Sequence, residues 1–173
     1  MRTFDHVSAS QIESYLLCAR KWYFKSILGL EDPAGPGAIL GKQVHASIES
    51  YLNCEVPASK LHPLAYNVYR RGLLPEPEAQ SPIRKSLRKF KGYLVEHEVE
   101  GFDIEGVPVK GFIDLLAFDG AAASPVITDW KTRGDPERYS KTPEQLTTDV
   151  QLAIYGRYVL GRPPDAPSVR VRH

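Results

Sequence analysis

The pattern of apolar and polar positions changes period along the chain. From Ser8 to Ile27, Ile12, Leu16, Ala19 and Tyr23 recur at helical spacing and are expected to face a core. Ser8 with Gln11, and Ser10 with Glu13, each match a capping box, in which side chains satisfy the first free amides of a helix. Glycine and proline make Glu31 to Gly37 a loop, and a second helix follows over Ile39 to Leu52 with Val44, Ile48 and Leu52 inward. A short helix is predicted near Leu64 to Arg71, and another from Ser81-Pro82, with Ile83, Leu87, Phe90 and Leu94 as its apolar stripe. Beyond it the period becomes two. Glu96 to Ile104, Val107 to Phe118 and Pro125 to Thr132 read as strands, with turns at Glu105-Gly106 and Asp119-Gly120. A last helix spans Pro143 to Leu160, and Ser168 to His173 alternates like the start of a further strand. Helices, a meander of three strands, then a helix predict an α/β or α+β sandwich.

Composition narrows the class without naming a function. The 173 residues have room for one core, and 42% hydrophobic with 25% charged residues is ordinary for a globular protein. A net charge of +1 means that any surface for nucleic acid must come from local segregation of charge. No apolar run is long enough to span a bilayer, and the start lacks a secretory apolar segment. Cys18 and Cys54 are too few for a disulfide framework or a four-cysteine site. Together these predict an intracellular, cytoplasmic protein without membrane contact.

Two anomalies carry candidate chemistry. Asp114 interrupts the apolar strand Lys110 to Phe118, and Asp129 and Lys131 interrupt the strand that begins at Val126. A charge inside such a strand is unfavourable unless it is paired or holds a cation. Asp129 and Lys131 are two apart and share a face on a strand, and a hairpin would bring Asp114 beside them. Repulsion between the two carboxylates is relieved by a hard divalent cation, which can also polarise a phosphoryl oxygen. A structural Asp–Lys ion pair is the competing reading, and it is the better one for an Asp-x-Lys triplet taken alone.

The wider motif set resembles a known family. Asp114 and Asp129-Trp130-Lys131 resemble the split acidic motif of the PD-(D/E)XK nucleases, in particular the RecB-type exonuclease branch. Gly41-Lys-Gln-Val-His45 resembles that branch's glycine–histidine helix motif, and Gln151-Leu-Ala-Ile-Tyr155 its glutamine–tyrosine motif. Ser8 to Phe24 resembles its opening helix. The resemblance implies a restriction-endonuclease-like core, a central mixed sheet flanked by helices. It implies that His45, Asp114, Asp129 and the Trp130 carbonyl ligate Mg²⁺ or Mn²⁺, with Asp114, Asp129 and Lys131 catalytic. Gln151 and Tyr155 would contact the DNA backbone or buttress the site. Some relatives hold an iron–sulfur cluster; Cys18 stands where their first cysteine does, but no later trio follows, so no cluster is expected.

The implied activity is hydrolysis of DNA phosphodiester bonds, by an exonuclease acting on single strands or duplex ends. Repair, recombination, or phage and defence processing in a prokaryotic or phage-like setting would be its context. The alternative is a DNA-binding or assembly subunit of a nuclease complex with little activity alone. Residues 1–173 read as a single nuclease domain, either a short member of the branch or a piece lacking its C-terminal elements. Arg133, next to the metal motif, is the best-motivated phosphate contact, ahead of the cations Arg84, Lys85, Arg88, Lys89 and Lys91. Trp22, Tyr23 and Phe24 beside Arg20 and Lys21 are expected to serve helix packing.

Overall fold

A computed structural model describes residues 5–77, 91–119, 125–132, 141–161 and 168–172. Its first helix, α1 (Ala9–Leu17), starts where the capping box places it. Ser8 Oγ accepts from the Gln11 amide at 3.3 Å, and Gln11 Oε1 accepts from the Ser8 amide at 3.1 Å. With Ser8 as cap, Ser10 already lies inside the helix, so the second predicted box is not used.

The helix does not run on to Ile27. Cys18 adopts an extended backbone (φ −161°, ψ 98°), and its Sγ accepts from the Lys21 amide, capping a separate α2 (Ala19–Trp22). A π-helical turn, Tyr23–Ile27, follows. The break resets the direction of the helical face. Ile12 packs against the core as predicted, but Leu16 (67% exposed), Ala19 and Tyr23 (44% exposed) do not.

Helix α3 (Pro36–Leu52) begins three residues before the predicted Ile39, because Pro36 at its first turn has the φ a helix needs and Gly35 caps it. Val44, Ile48 and Leu52 are buried, as the spacing required. A 3-10 turn (Ala58–Lys60) and α4 (Pro63–Arg70) complete this side. Of the helix predicted from Ser81, the part with Arg84, Lys85, Arg88 and Lys89 lies outside the described residues, but its far end does not hold: Lys91 and Leu94 belong to a β-strand, where pairing with a neighbouring strand sets the backbone.

The three predicted strands resolve into five: β1 (Lys91–Glu98), β2 (Phe102–Ile104), β3 (Val107–Val109), β4 (Phe112–Asp119) and β5 (Val126–Thr128). The β2–β3 hairpin turns at Glu105-Gly106 as predicted, both in the left-handed region (φ 52° and 79°). The last predicted helix is two, α5 (Pro143–Thr147) and α6 (Val150–Leu160). Asp149 makes the break by accepting from the Leu152 amide at 2.9 Å, and Lys141 pairs with its carboxylate. The tail forms β6 (Arg170–Arg172).

The main sheet runs β1-β4-β5-β6, antiparallel except for the parallel β5–β6 pair. On one face Tyr93 and Leu115 pack with Val44, Ile48 and Leu52 of α3. On the other, Leu94, Leu116 and Ile127 pack with Leu152, Tyr155 and Tyr158 of α6 and with Ala9 of α1. This is the predicted α/β class, a mixed sheet flanked by helices.

Between β1 and β4 the alternation of faces slips by one residue. Val95 and Leu115, a cross-strand pair, face α3; His97 and Ile113, two residues on and again a pair, turn toward Tyr158 and the α6 core. Regular strands would keep both pairs on one face. The residues between them, Glu96 and Asp114, absorb the shift, and Glu96 does so with a left-handed backbone (φ 45°). Both carboxylates consequently turn to the α3 side.

Gly111, just before β4, lies under the Tyr155 ring. A Cβ there would stand 2.8 Å from the Tyr155 hydroxyl and 2.9 Å from a ring carbon. Because Tyr155 is buried and cannot swing away, Gly111→Ala is expected to destabilise by about 1–3 kcal/mol, as overpacked cores do. Urea unfolding measures this, and a variant as stable as the parent would refute the close fit.

Candidate active site

The site forms where β4 and β5 leave their shared register. Leu115 and Thr128 are the last pair, so Asp114 and Asp129 stand side by side one residue further on. Asp129, Trp130 and Lys131 lie just past the end of β5 and not within the strand predicted for Pro125 to Thr132. The Asp129 amide donates to the Arg172 carbonyl at 3.0 Å, which ties this segment to the end of β6. The Trp130 amide donates to Asp114 Oδ2 at 2.7 Å, fixing the Asp114 carboxylate against the segment.

His45 approaches from α3. Its Nε2 is 2.7 Å from the Trp130 carbonyl, and a carbonyl can only accept, so Nε2 carries the hydrogen. In the neutral ring the lone pair is then on Nδ1, which faces Asp114 Oδ2 at 3.6 Å. Gly41, one turn earlier, lets α3 approach this segment closely: a Cβ there would stand 2.9 Å from Thr132 Oγ1.

Glu96 is the member that the sequence reading missed. One donor atom from each of His45, Glu96 and Asp114 lies within 4.8 Å of the other two. Burial raises the pKa of Asp114, opposed by His45, the Trp130 amide and Lys131 and reinforced by Asp129. Burial also raises that of Glu96, with Asp114 and Glu49 adding to the effect and His45 opposing it. Imidazole and carboxylate oxygens gathered around a point, with a backbone carbonyl adjoining, suit a hard divalent cation. The donor set of His45, Glu96 and Asp114 therefore fits a divalent cation; Glu96 joins two of the expected ligands, while Asp129 lies outside this cluster and pairs with Lys131.

Lys131 stands on the other side of Asp129. Its Nζ donates to Asp129 Oδ2 at 2.8 Å and to Oδ1 at 3.1 Å, and also to Gln151 Oε1 at 3.1 Å. Gln151 Nε2 in turn donates to Asp129 Oδ1 at 3.0 Å, closing a triangle around the buried Asp129. Tyr155, one turn along α6, is buried against Gly111 and interacts with Gln151 and the Phe112 backbone. Burial outweighs those hydrogen bonds and pushes its hydroxyl up to about 12, so it stays protonated through the working pH range. Six of the sequence candidates thus meet directly: His45, Asp114, Asp129, Trp130, Lys131 and Gln151. Tyr155 adjoins them through Gln151, and Arg133 lies outside the described residues.

The raised acids have a measurable consequence. An acid whose pKa is higher folded than unfolded gives the folded state the extra proton in the window between the two values. Its contribution to stability is greatest below that window, and declines as pH rises from the ordinary values of 3.8 for Asp114 and 4.5 for Glu96. A divalent cation compensates the ionised pair. Mn²⁺ is therefore expected to raise the melting temperature more at neutral than at weakly acidic pH. Thermal melts with Mn²⁺ or with EDTA test this, and a Mn²⁺ shift that does not change with pH would contradict it.

An α/β chain in which carboxylates, an imidazole and an ammonium converge beyond the paired ends of two strands defines a class of metal-binding fold. The family model of the PD-(D/E)XK nuclease superfamily matches residues 6–168, nearly the whole chain, and the chain belongs to that superfamily. Its members are generally metal-dependent nucleases. No curated protein and no solved structure matches the chain significantly. Among the described residues no helix is long and apolar enough to cross a membrane.

Proposed function

We propose that the chain is a DNA exonuclease of the RecB-type branch, forming one nuclease domain and working in the cytoplasm. The observation that carries this reading is the union of the His45–Glu96–Asp114 donor cluster with the Asp129–Lys131 pair across two adjacent strand ends. His45, Glu96, Asp114, Asp129 and the Trp130 carbonyl would hold Mg²⁺ or Mn²⁺. When bound, such a cation polarises a phosphoryl oxygen and lowers the pKa of water. Lys131 presents a compact positive charge where negative charge grows on the phosphate, and its ammonium can orient the attacking water. Asp129 and Gln151 hold that ammonium in place, and Tyr155 props Gln151 from beneath. Arg133, two residues after Lys131, is assigned a phosphate contact.

The gly–his and gln–tyr motifs support the RecB-type branch, and membership of the nuclease superfamily supports DNA as the substrate. The test is a cleavage assay with Mg²⁺ or Mn²⁺ on linear and circular, single- and double-stranded DNA, with RNA included. Linear DNA degraded from its ends, with circles and RNA intact, is the expected result. Cleavage of circles would replace exonuclease with endonuclease, and inertness toward every substrate would favour a binding or assembly subunit.

A further inference from the structure

The break at Cys18 leaves a surface that the catalytic reading does not use. Trp22, Tyr23 and Phe24 were expected to serve helix packing, yet only Trp22 is half-buried; Tyr23 and Phe24 are exposed, as is Tyr15 near the end of α1. Phe24 lines an open cleft of about 410 Å³ together with Arg20, Lys21, Lys25, Leu30 and Asp32. The Arg20 guanidinium stands 5.5 Å from the centre of the Phe24 ring. Lys21 and Lys25, one turn apart, both point to Asp32 Oδ2, at 3.2 and 3.9 Å.

We propose that this cleft seats single-stranded nucleic acid, one base stacked on Phe24 and the adjoining phosphate taken by Lys21 and Lys25. The inference rests on the nuclease reading and adds to it a place where the substrate strand is held away from the metal site. Charge selects the occupant. Arg20, Lys21 and Lys25 outnumber Glu31 and Asp32 around the cleft, and an apolar protein partner would strip water from these cations without pairing them. A phosphodiester pairs them, and the ring with its guanidinium neighbour offers a stacking surface that accepts any base. Asp32 then acts as a competitor, holding both lysines until a phosphate replaces it. The cleft also adjoins, along the chain, the helix that carries the metal site's histidine. The chain from the π-helical turn leads through residues 28–35 into α3, which carries His45 and packs Gly41 against Thr132.

The test is fluorescence anisotropy of the full chain with a short fluorescein-labelled oligodeoxythymidine in EDTA, where no cleavage occurs. Phe24→Ala is expected to weaken binding about tenfold, as removal of one stacking platform does. Lys21→Glu with Lys25→Glu should weaken it further and flatten its dependence on salt. Asp32→Asn should tighten it, an outcome that misfolding cannot produce. Unchanged affinity in Phe24→Ala and Asp32→Asn overturns the proposal. So does an oligomer of the parent that Phe24→Asp disperses while oligonucleotide binding stays at the parent's strength, which would make the face a protein interface. The nuclease reading is judged separately, by metal-dependent cleavage in the parent, so either can fail without the other.

Discussion

Asp129→Asn is expected to lower metal-dependent cleavage by about a thousandfold or more, on the scale seen when a central catalytic group is removed. The substitution keeps the shape of a side chain that is 4% exposed, so the loss is one of charge and not of fold. Two functions go with that charge. One is an anionic oxygen beside Asp114 for a cation; the other is the partner that holds the Lys131 ammonium at 2.8 Å. The amide could still accept from Gln151 through its oxygen, but its nitrogen would oppose the lysine. Lys131→Ala should fall by a comparable factor for a different reason, because it removes the positive charge and leaves the acids in place. Mn²⁺ titration calorimetry separates the two: binding should weaken in Asp129→Asn and persist in Lys131→Ala. Cleavage at the parent rate in either variant would remove the catalytic assignment.

How far the site was legible depends on which residues break a local pattern. Asp114, Asp129 and Lys131 were visible because each is a charge within an apolar run, and local polarity needs no knowledge of the fold. His45 and Gln151 are ordinary on their helices, and only the order of motifs singled them out. The buried face of α3 was equally clear, since Val44, Ile48 and Leu52 repeat at helical spacing. The helix breaks at Cys18 and Asp149 were not, because in each case a side chain caps a new helix inside a continuous apolar pattern. The error at Cys18 had the larger effect: it turned Leu16 and Tyr23 from predicted core into surface.

Glu96 was hidden for a physical reason of its own. Strict alternation from Tyr93 and Val95 puts Glu96 on the face away from α3, and in the sequence it is followed by the polar His97 and Glu98, so its charge interrupts no apolar run. Only the left-handed backbone at that position, and the matching slip at Asp114, bring it to His45. For a residue with a Cβ this conformation costs roughly 1–2 kcal/mol, so the surrounding structure holds it there against a local preference.

Glu96→Gln should therefore have effects of opposite sign on metal binding and on stability. The amide keeps the size and one oxygen of the carboxylate but brings no negative charge to the cation. Mn²⁺ affinity is expected to fall by about 10–100-fold, the range for losing a supporting group at a metal centre, and cleavage at limiting metal should fall with it. Without metal the balance reverses. Glu96 ionises against burial and against Asp114 and Glu49, with His45 alone in opposition, so removing its charge should stabilise the metal-free protein near neutral pH. That gain should vanish at acidic pH, where the parent's Glu96 is already protonated. Calorimetry with Mn²⁺ and melts in EDTA at both pH values read the two effects independently. A variant that binds Mn²⁺ as tightly as the parent would take Glu96 out of the metal set. A metal-free variant less stable than the parent at neutral pH would instead mean that the carboxylate is fixed by contacts favouring its charged form.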